Sequence, residues 1–436
     1  MMKNNTDRLR ITVSNFRAIE NADIVLNGIT VLSGTNGTGK STISRLLYEI
    51  IDSANNFDDL VLKRLNRRLD KYYVVLESIA FFIDSLLTTN TNTPLRTKIK
   101  AFPLSSFDEC DSFERTVSSL CEMIMQYYGE DGPARNSRSN RLLNILRYSL
   151  DRPKGNISDC LYELKYQIHT EIEKGKEDCQ KRPTNVLNST IKDIFGENVL
   201  SSVSIYEFND CIFGTRSQSS IPPPHITSAF YINTPFILGA NNYHNHVIKL
   251  NEALKSPKDD IDSEIANEIS NKIVNGRARY DLDGVTPGFR FLTNSKEEYD
   301  LEDCATGIKA FSIIQMLINS GYIKENALFI LDEPEAHLHP QWIIEYAKLI
   351  VTMSRIMKVN FLISTHSTDM VMALRYISEA QRTTQFLQYY CASPAKNNPN
   401  KFIFQPLGLN IEPIFNSFNK SFGRLEAYGS SINEEH

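Results

Sequence analysis

The amino-acid sequence predicts an α/β fold that is interrupted by a mainly helical insertion. Two short apolar runs, residues 29–32 with their β-branched side chains and residues 360–364, predict strands in the first and last parts of the 436-residue chain. A glycine-rich loop and then a helical pattern follow the first of these runs. Long helical patterns dominate between about residues 55 and 195. The strands therefore belong to one part of the fold, and the middle of the chain is inserted into it.

The length of the chain exceeds what one hydrophobic core ordinarily needs, which favours two domains or one domain with a large insertion. We expect an amino-terminal lobe over residues 1–54, a helical insertion over 55–200, and a carboxy-terminal lobe over 201–436. Continuous apolar runs in the last lobe, at 327–331 and 360–364, are typical of buried parallel strands with helices on both faces.

The individual elements follow from hydrophobic periodicity. Helical patterns in the insertion cover residues 60–87, 113–128, 141–150 and 157–174. Strand signals return in the carboxy-terminal lobe at residues 203–208, 229–232 and 289–292, with helical patterns at 260–274 and 307–320.

Composition predicts a soluble protein of the cytoplasm. Hydrophobic residues make up 41% and charged residues 23% of the chain, and the net charge of -5 argues against a chain that coats nucleic acid as a whole. The seven cysteines occur singly, without a C-x-x-C pair, as is typical of a reducing compartment. The polar amino terminus shows no signal peptide, and the apolar stretch 74–87 is too short and too charged to span a bilayer. We therefore expect no membrane partner.

The most specific motif is the sequence Gly34-Thr35-Asn36-Gly37-Thr38-Gly39-Lys40-Ser41, a complete G-x-x-x-x-G-K-[ST] pattern between a predicted strand and a predicted helix. Its glycines let the backbone turn tightly, so that successive N–H groups can face phosphate oxygens. The pattern predicts that Lys40 reaches the β- and γ-phosphates of ATP and that the Ser41 hydroxyl ligates Mg²⁺. The alternative is a glycine-rich turn without a ligand. The predicted nucleotide-binding residues of this loop are Gly34, Asn36, Gly37, Thr38, Gly39, Lys40, Ser41 and Thr42.

A second motif places two acids at the end of a buried strand. The apolar run 329–331 leads directly into Asp332 and Glu333, and the carboxyl ends of such strands are where open α/β sheets bind ligands. Asp332 is suited to hold Mg²⁺, and Glu333 is suited to orient and deprotonate an attacking water. A capped turn is the usual alternative for an isolated Asp-Glu-Pro sequence.

A third motif ends another buried strand with a histidine. The strand predicted over 361–363 is followed by Ser364, Thr365 and His366. An imidazole at such a position can hydrogen-bond a γ-phosphate or the attacking water. The alternative is a core histidine with satisfied hydrogen bonds.

Together these motifs resemble those of ABC-type ATPases of the RecF, SMC and OLD class, often grouped as AAA-family ATP-binding proteins. Asn15-Phe16-Arg17 resembles the opening of that class, residues 332–340 resemble its extended Walker B motif, and residues 364–367 resemble its switch histidine. The resemblance covers roughly residues 8–50 and 225–375. It implies a P-loop NTPase fold, an ABC-type head with a mixed sheet, and ATP hydrolysis with Mg²⁺.

The resemblance also implies that ATP is held between two heads in a homodimer or higher oligomer. A signature loop of one head then faces the phosphates bound by the other, and the candidate here is Cys304–Lys309, with Thr306 and Gly307 as the binding residues. This loop departs from the S-G-G-Q form, and an ordinary helix cap is the alternative. The Q-loop glutamine that the resemblance implies is not evident, and the segment 230–235 is the candidate for its place.

The predicted partner is a separate effector protein. Some OLD-class relatives carry a Toprim nuclease, which needs clustered acids, but no aspartate follows Asp369 in this sequence. The resemblance to stand-alone ATPases of bacterial defence systems therefore implies an ATP-driven switch for a partner, for example a nuclease in an anti-phage system.

Nucleic acid is the alternative partner. Two basic clusters in the insertion could contact phosphates, as in a RecF-like ATPase of DNA repair or chromosome maintenance, or could be solvated helix faces. The clusters consist of Lys63, Arg64, Arg67, Arg68 and Lys71, and of Arg135, Arg138, Arg141, Arg147, Arg152 and Lys154.

Overall fold

The computed structural model describes residues 9–84, 102–128, 137–150, 155–217, 219–233, 245–255, 264–282, 287–336 and 338–416. The chain divides into two compact units. The larger unit comprises the chain up to Asn55 and from Asn188 onward, and the smaller unit comprises Asn56–Leu187. The second boundary lies at 187/188 rather than at 200, since Phe195 packs in the larger unit, where its ring lies under the guanidinium groups of Arg17 and Arg45.

Thirteen strands are formed by the described residues. Ten of them make one sheet: β1 (Leu9–Phe16), β2 (Ile19–Leu26), β3 (Ile29–Ser33), β4 (Val203–Glu207), β5 (Asp210–Phe213), β6 (Ala229–Ile232), β10 (Leu328–Asp332), β11 (Asn360–Thr365), β12 (Leu387–Pro394) and β13 (Phe402–Gly408). A separate antiparallel sheet contains β7 (Gly276–Asp281), β8 (Gly288–Thr293) and β9 (Glu298–Asp300).

The helices flank these sheets or form the smaller unit. In chain order they are α1 (Lys40–Asn55), α2 (Phe57–Asp84), α3 (Glu109–Tyr128), α4 (Ser137–Ser149), α5 (Ile157–Lys181), α6 (Thr184–Phe195), α7 (Val199–Ser202), α8 (Asn245–Lys255), α9 (Glu264–Glu268), α10 (Thr306–Asn319), α11 (Pro340–Ile356) and α12 (Thr368–Ala380). A π-helical turn, Ile269–Ile273, continues α9. Of the helical pattern predicted over 60–87, residues 85–87 lie outside the described part of the chain.

The large sheet is mixed, as predicted, and its strand order is β5-β4-β1-β2-β13-β12-β3-β11-β10-β6. Its centre is parallel, from β12 through β3, β11 and β10 to β6, whereas β1 pairs antiparallel with both β2 and β4. Strands β3, β10 and β11 are buried along their whole length, which explains their continuous apolar sequences. Strand β1 instead alternates between buried and more exposed positions over its first half.

Three strands of this sheet, β5, β12 and β13, have no counterpart among the sequence predictions. The hairpin β12–β13 inserts between β2 and β3, so strands from the two ends of the chain form one continuous ladder. The hydroxyls of two buried tyrosines of β12 form hydrogen bonds to neighbouring elements. Tyr389 donates to the carbonyl of Val371 at 2.9 Å, and Tyr390 accepts from the amide of Val25 at 3.0 Å. These bonds satisfy the buried hydroxyls. The strand signals of the hairpin are interrupted by Gln388 in β12 and Pro406 in β13.

The smaller unit is a bundle of α2, α3, α4 and α5 around its own apolar core. Two arginines of the predicted basic clusters form internal contacts here. Arg68 pairs with Glu171 at 3.2 Å, and Arg147 donates from Nε to the carbonyl of Gly155 at 3.0 Å. Arg135, Arg152 and Lys154 lie outside the described residues. Among the described helices of the whole chain, none combines the length and apolar character needed to cross a bilayer.

Candidate nucleotide site

Strand register brings the three sequence motifs to one edge of the sheet. In the parallel pair β3–β11, Ser33 lies opposite Thr365, and in the pair β10–β11, Asp332 lies opposite Ser364. The glycine-rich loop after β3, the acids at the end of β10 and the histidine after β11 therefore emerge side by side. This is the juxtaposition that the strand-end positions of the motifs predict.

The glycine-rich loop has a backbone that only glycines adopt without strain. Gly34, Gly37 and Gly39 have φ values of 152°, 80° and 100°. A Cβ atom on Gly39 would also lie 2.6 Å from Cγ1 of Ile19, so this position has no room for a side chain. The loop is closed by the Thr38 hydroxyl, which donates to the carbonyl of Thr35 at 3.0 Å, while Thr35, Asn36 and Gly37 are exposed. Its outer backbone is thus accessible to a ligand.

The Lys40 ammonium group lies inside this loop. Its Nζ donates to the carbonyl oxygens of Gly34 at 2.7 Å and Thr35 at 3.0 Å, and the residue is only 5% exposed. Burial lowers the pKa of Lys40, and the nearby charges of Glu333 and Asp332 oppose this shift. A bound phosphate would oppose it further, because an adjacent negative charge favours the cationic form.

Asp332 is a buried carboxylate with unused hydrogen-bonding capacity. Its Oδ2 accepts from the hydroxyl of Tyr231 at 3.1 Å, whereas its Oδ1 is buried and accepts no hydrogen bond from the described residues. Burial raises the pKa of Asp332, and the hydroxyls of Ser41 and Tyr231 oppose this shift by favouring the charged form. A carboxylate oxygen without a partner beside the Ser41 hydroxyl is a donor set that fits Mg²⁺, which prefers hard oxygen ligands.

Glu333 and His366 face each other at the accessible side of the site. Oε1 of Glu333 lies 3.4 Å from Nδ1 of His366, and their side chains are 39% and 43% exposed. Glu333 has a φ of 52°, an unusual value for a residue with a side chain, while its amide still donates to the carbonyl of Ser364 at 2.8 Å. Because of this left-handed conformation, the chain leaves the direction of strand β10 at Glu333, the predicted catalytic base. Water can therefore reach both side chains.

Two residues of the site are not among those predicted from the sequence. Tyr231, on β6, reaches Asp332 across 101 positions of sequence, and an aromatic residue within a strand gives no signal of such a bond. Glu335 is 7% exposed and accepts hydrogen bonds from Thr365 and His366. Its sequence signals are its closeness to Asp332 and Glu333 and its place in the segment 332–340 that resembles the extended Walker B motif.

The predicted signature residues occupy the first turn of α10. The residue before this turn, Ala305, makes no side-chain capping bond, so the turn lacks the side-chain cap that was the alternative prediction. Gly307 is buried, and the space where its side chain would lie is filled by the ring of Trp342 on α11. The position of Thr306 and Gly307 opposite the phosphates of a second copy stays a prediction. Of the segment 230–235 predicted in place of a Q-loop, residues up to Ile232 belong to β6, and residues 234–235 lie outside the described residues.

A substitution at Gly307 tests this close packing. A Cβ atom at this position would lie 2.1 Å from Cε3 of Trp342, so the indole must shift. We expect Gly307→Ala to lower the free energy of unfolding by about 1–3 kcal/mol, the usual cost of overpacking, as measured by denaturant titration. Adding Trp342→Leu should restore part of the loss. Equal stability of Gly307→Ala and the parent would contradict the packing described here.

Comparison with known proteins identifies the family to which the chain belongs. The family model described as AAA ATPase domain matches residues 9–371. Among solved structures, the chain is similar to one of the Smc head domain from Pyrococcus furiosus, which has an extended coiled coil and is bound to the C-terminal domain of ScpA. The TM-score is 0.34 and the sequence identity is 12%, and the match covers 96% of this chain and 98% of that chain. It is also similar to the SMC head domain from Thermotoga maritima, with a TM-score of 0.35 and 11% identity over 92% of this chain and 99% of that chain. No curated protein matches this chain.

Proposed function

Because the chain belongs to the AAA ATPase domain family and has the P-loop NTPase fold that its sequence predicts, we propose that it binds ATP with Mg²⁺ and hydrolyses it to ADP and phosphate. The proposal rests on a cluster of side chains at one edge of the sheet. The cluster consists of a buried lysine, a buried carboxylate with one oxygen that accepts no hydrogen bond from the described residues, and an accessible Glu–His pair. A phosphate-binding loop alone supports binding, whereas the carboxylates beside it support hydrolysis.

Each residue of the cluster has a separate task in this reaction. The backbone N–H groups of residues 34–39 and the Lys40 ammonium group hold the phosphates, and Ser41 and Asp332 would hold Mg²⁺, which neutralises phosphate charge when bound. Glu333 takes a proton from the attacking water as its oxygen bonds to the γ-phosphorus and the bond to the β–γ bridging oxygen breaks. His366 positions the γ-phosphate or the water through its imidazole.

The proposed biological role is a nucleotide-driven switch. Two copies close on two ATP molecules, with Thr306 and Gly307 of one copy facing the phosphates held by the other, and hydrolysis reopens the dimer. A separate effector protein, such as a nuclease of an anti-phage defence system, binds the chain and is regulated by the opening and closing of the dimer. The step from ATPase to effector control rests on the family resemblance alone.

Direct DNA binding is the alternative function, and two residues of the basic clusters are already engaged within the chain. Arg68 and Arg147 of the two basic clusters are engaged in contacts within the smaller unit. Arginines that are held in internal contacts have less freedom to neutralise DNA phosphates. Salt-dependent binding of the purified protein to duplex DNA would nevertheless give precedence to the RecF-like alternative.

A phosphate-release assay with the purified chain tests the central claim. We expect Mg²⁺-dependent release of phosphate from ATP, together with a change from monomer to dimer on adding ATP. An ATP-binding scaffold without turnover is the competing class of protein. Tight ATP binding without phosphate release, both for the purified chain and after addition of a cell extract that could supply the effector, would contradict the proposed hydrolysis.

Removing the Tyr231 hydroxyl tests the proposed metal site. Tyr231→Phe deletes the hydrogen bond to Oδ2 of Asp332 but keeps the buried ring, so the carboxylate is less well oriented. We expect the Mg²⁺ concentration needed for half-maximal activity to rise about tenfold, as is usual when a residue that orients a metal ligand is lost. Tyr48→Phe is the matched control, because the ring of Tyr48 lies next to Tyr231 at 5.7 Å between centroids. Equal Mg²⁺ requirements of both variants would contradict the assignment.

A further inference from the structure

Glu335 is a third carboxylate of the site, and the motifs give it no role. Its side chain is almost fully buried, although an isolated buried carboxylate is costly unless it is hydrogen-bonded. Oε1 accepts from the Thr365 hydroxyl at 2.5 Å and from the amide of His366 at 3.1 Å. Both donors belong to the end of β11, so this carboxylate connects the strand of the acids to the strand of the histidine.

The bonds continue beyond Thr365 into the next helix. The Thr365 hydroxyl, which donates to Glu335, also accepts from the amide of Ser367 at 2.9 Å. The Ser367 hydroxyl then caps α12 by accepting from the amide of Met370 at 3.2 Å. The turn that carries His366 is therefore held on both sides, by Glu335 before it and by the cap of α12 after it.

The imidazole of His366 lies against two carboxylates. Its Nδ1 is 3.4 Å from Oε1 of Glu333 and 3.7 Å from Oε1 of Glu335. Two acceptors on this side favour the tautomer that carries its proton on Nδ1, which leaves Nε2 with its lone pair on the other side of the ring. Glu335 thus holds His366 through the backbone amide, whereas Glu333 is the nearer carboxylate to the ring.

The second oxygen of Glu335 remains unused. Within the described residues, Oε2 is buried and accepts no hydrogen bond. A buried carboxylate is costly unless it is hydrogen-bonded, so the two bonds to Oε1 are the described contacts that hold this side chain in place.

From these contacts we propose that Glu335 is a positioning residue for His366: it fixes the turn after β11 and thereby holds the imidazole against Glu333 in the Nδ1–H tautomer, whose Nε2 lone pair can accept a hydrogen bond from the attacking water. This inference rests on the proposed ATPase function, since it assigns a task within the same site. Glu335 itself does not contact the reacting atoms, and it acts only through His366 and Thr365.

A double-mutant cycle tests this proposal. We expect Glu335→Ala to lower kcat by about 10- to 100-fold, as for other residues that orient a functional group, while the ATP dissociation constant stays unchanged. Glu335→Gln keeps a carbonyl oxygen that can accept from Thr365 and His366, so it should retain most of the turnover. In a His366→Ala background, Glu335→Ala should cause little further loss. Equal fold losses in the two backgrounds would overturn the proposal.

A spectroscopic readout separates this proposal from the ATPase assignment. In ¹⁵N-histidine-labelled protein, the signal of one of the eight histidines that disappears in His366→Ala belongs to His366. We expect that signal to report the Nδ1–H tautomer in the parent and in Glu335→Gln, and to lose this preference in Glu335→Ala. An unchanged tautomer in Glu335→Ala would overturn the proposal. If the parent released no phosphate but the tautomer depended on Glu335, the proposed hydrolysis would fail while the positioning role stood.

If Glu335→Ala does not fold, Thr365→Val takes its place in the cycle. This substitution keeps the shape of the side chain and removes the hydroxyl that donates to Glu335. We then expect a smaller loss of kcat that again disappears in the His366→Ala background. Equal losses in both backgrounds would count against the proposal in the same way.

Discussion

Replacing Glu333 by glutamine should abolish hydrolysis and leave ATP binding intact. The amide keeps the size of the side chain but cannot take the proton of the attacking water, so we expect kcat to fall by about 10²- to 10⁴-fold. ATP affinity should stay the same, because Glu333 acts on the water rather than on the phosphates. Phosphate release under single-turnover conditions measures the rate, and size-exclusion chromatography with ATP should show a persistent dimer.

The control for this substitution is Glu412→Gln, which makes the same chemical change at an exposed position after β13. It should leave both turnover and assembly unchanged. A Glu333→Gln protein that hydrolysed ATP as fast as the parent would assign the base to another residue. If the Glu333→Gln protein hydrolysed ATP slowly but formed no dimer with ATP, the assignment of Glu333 as the base would stand and the proposed switch would be contradicted. The gene product that copurifies with this variant in ATP would identify the effector.

Replacing Lys40 by alanine should remove most of the ATP affinity. The ammonium group is buried in the loop, and losing one partner of a buried charge pair usually costs about 2–5 kcal/mol, which corresponds to a loss of affinity of about 30-fold or more. The carboxylates of Asp332, Glu333 and Glu335 would also lose the cation that they surround. Their repulsion of the triphosphate then acts in the same direction. Isothermal titration with ATP and Mg²⁺ measures the change.

Lys358→Ala is the matched control for Lys40→Ala. Its side chain is 66% exposed and pairs with Glu325, before the amino end of β10 and therefore at the opposite end of the strand from Asp332. We expect ATP affinity to be unaffected there. If Lys40→Ala bound ATP as tightly as Lys358→Ala, the glycine-rich loop would not be the phosphate site, and the proposed function would fail with it.

The parts of this protein that could be predicted from the sequence are those fixed by neighbouring residues. Gly34, Gly37 and Gly39 adopt conformations that other residues avoid, so their spacing before Lys40 predicts the loop without knowledge of the fold. The buried strands β10 and β11 follow in the same way from their apolar runs, and the polar residues directly after them predict which side chains reach the sheet edge.

Only the tertiary structure decides which of these segments become neighbours and what the remaining polar residues do. The hairpin β12–β13 occupies the position beside β3, and the glutamine, serine and proline residues within it interrupt the apolar runs by which strands are predicted. The bonds from Tyr231 to Asp332 and from Thr365 to Glu335 join positions 101 and 30 residues apart. Hydrogen bonds across such distances leave no periodicity in one sequence, because each depends on strand pairing that is set by packing of the whole core.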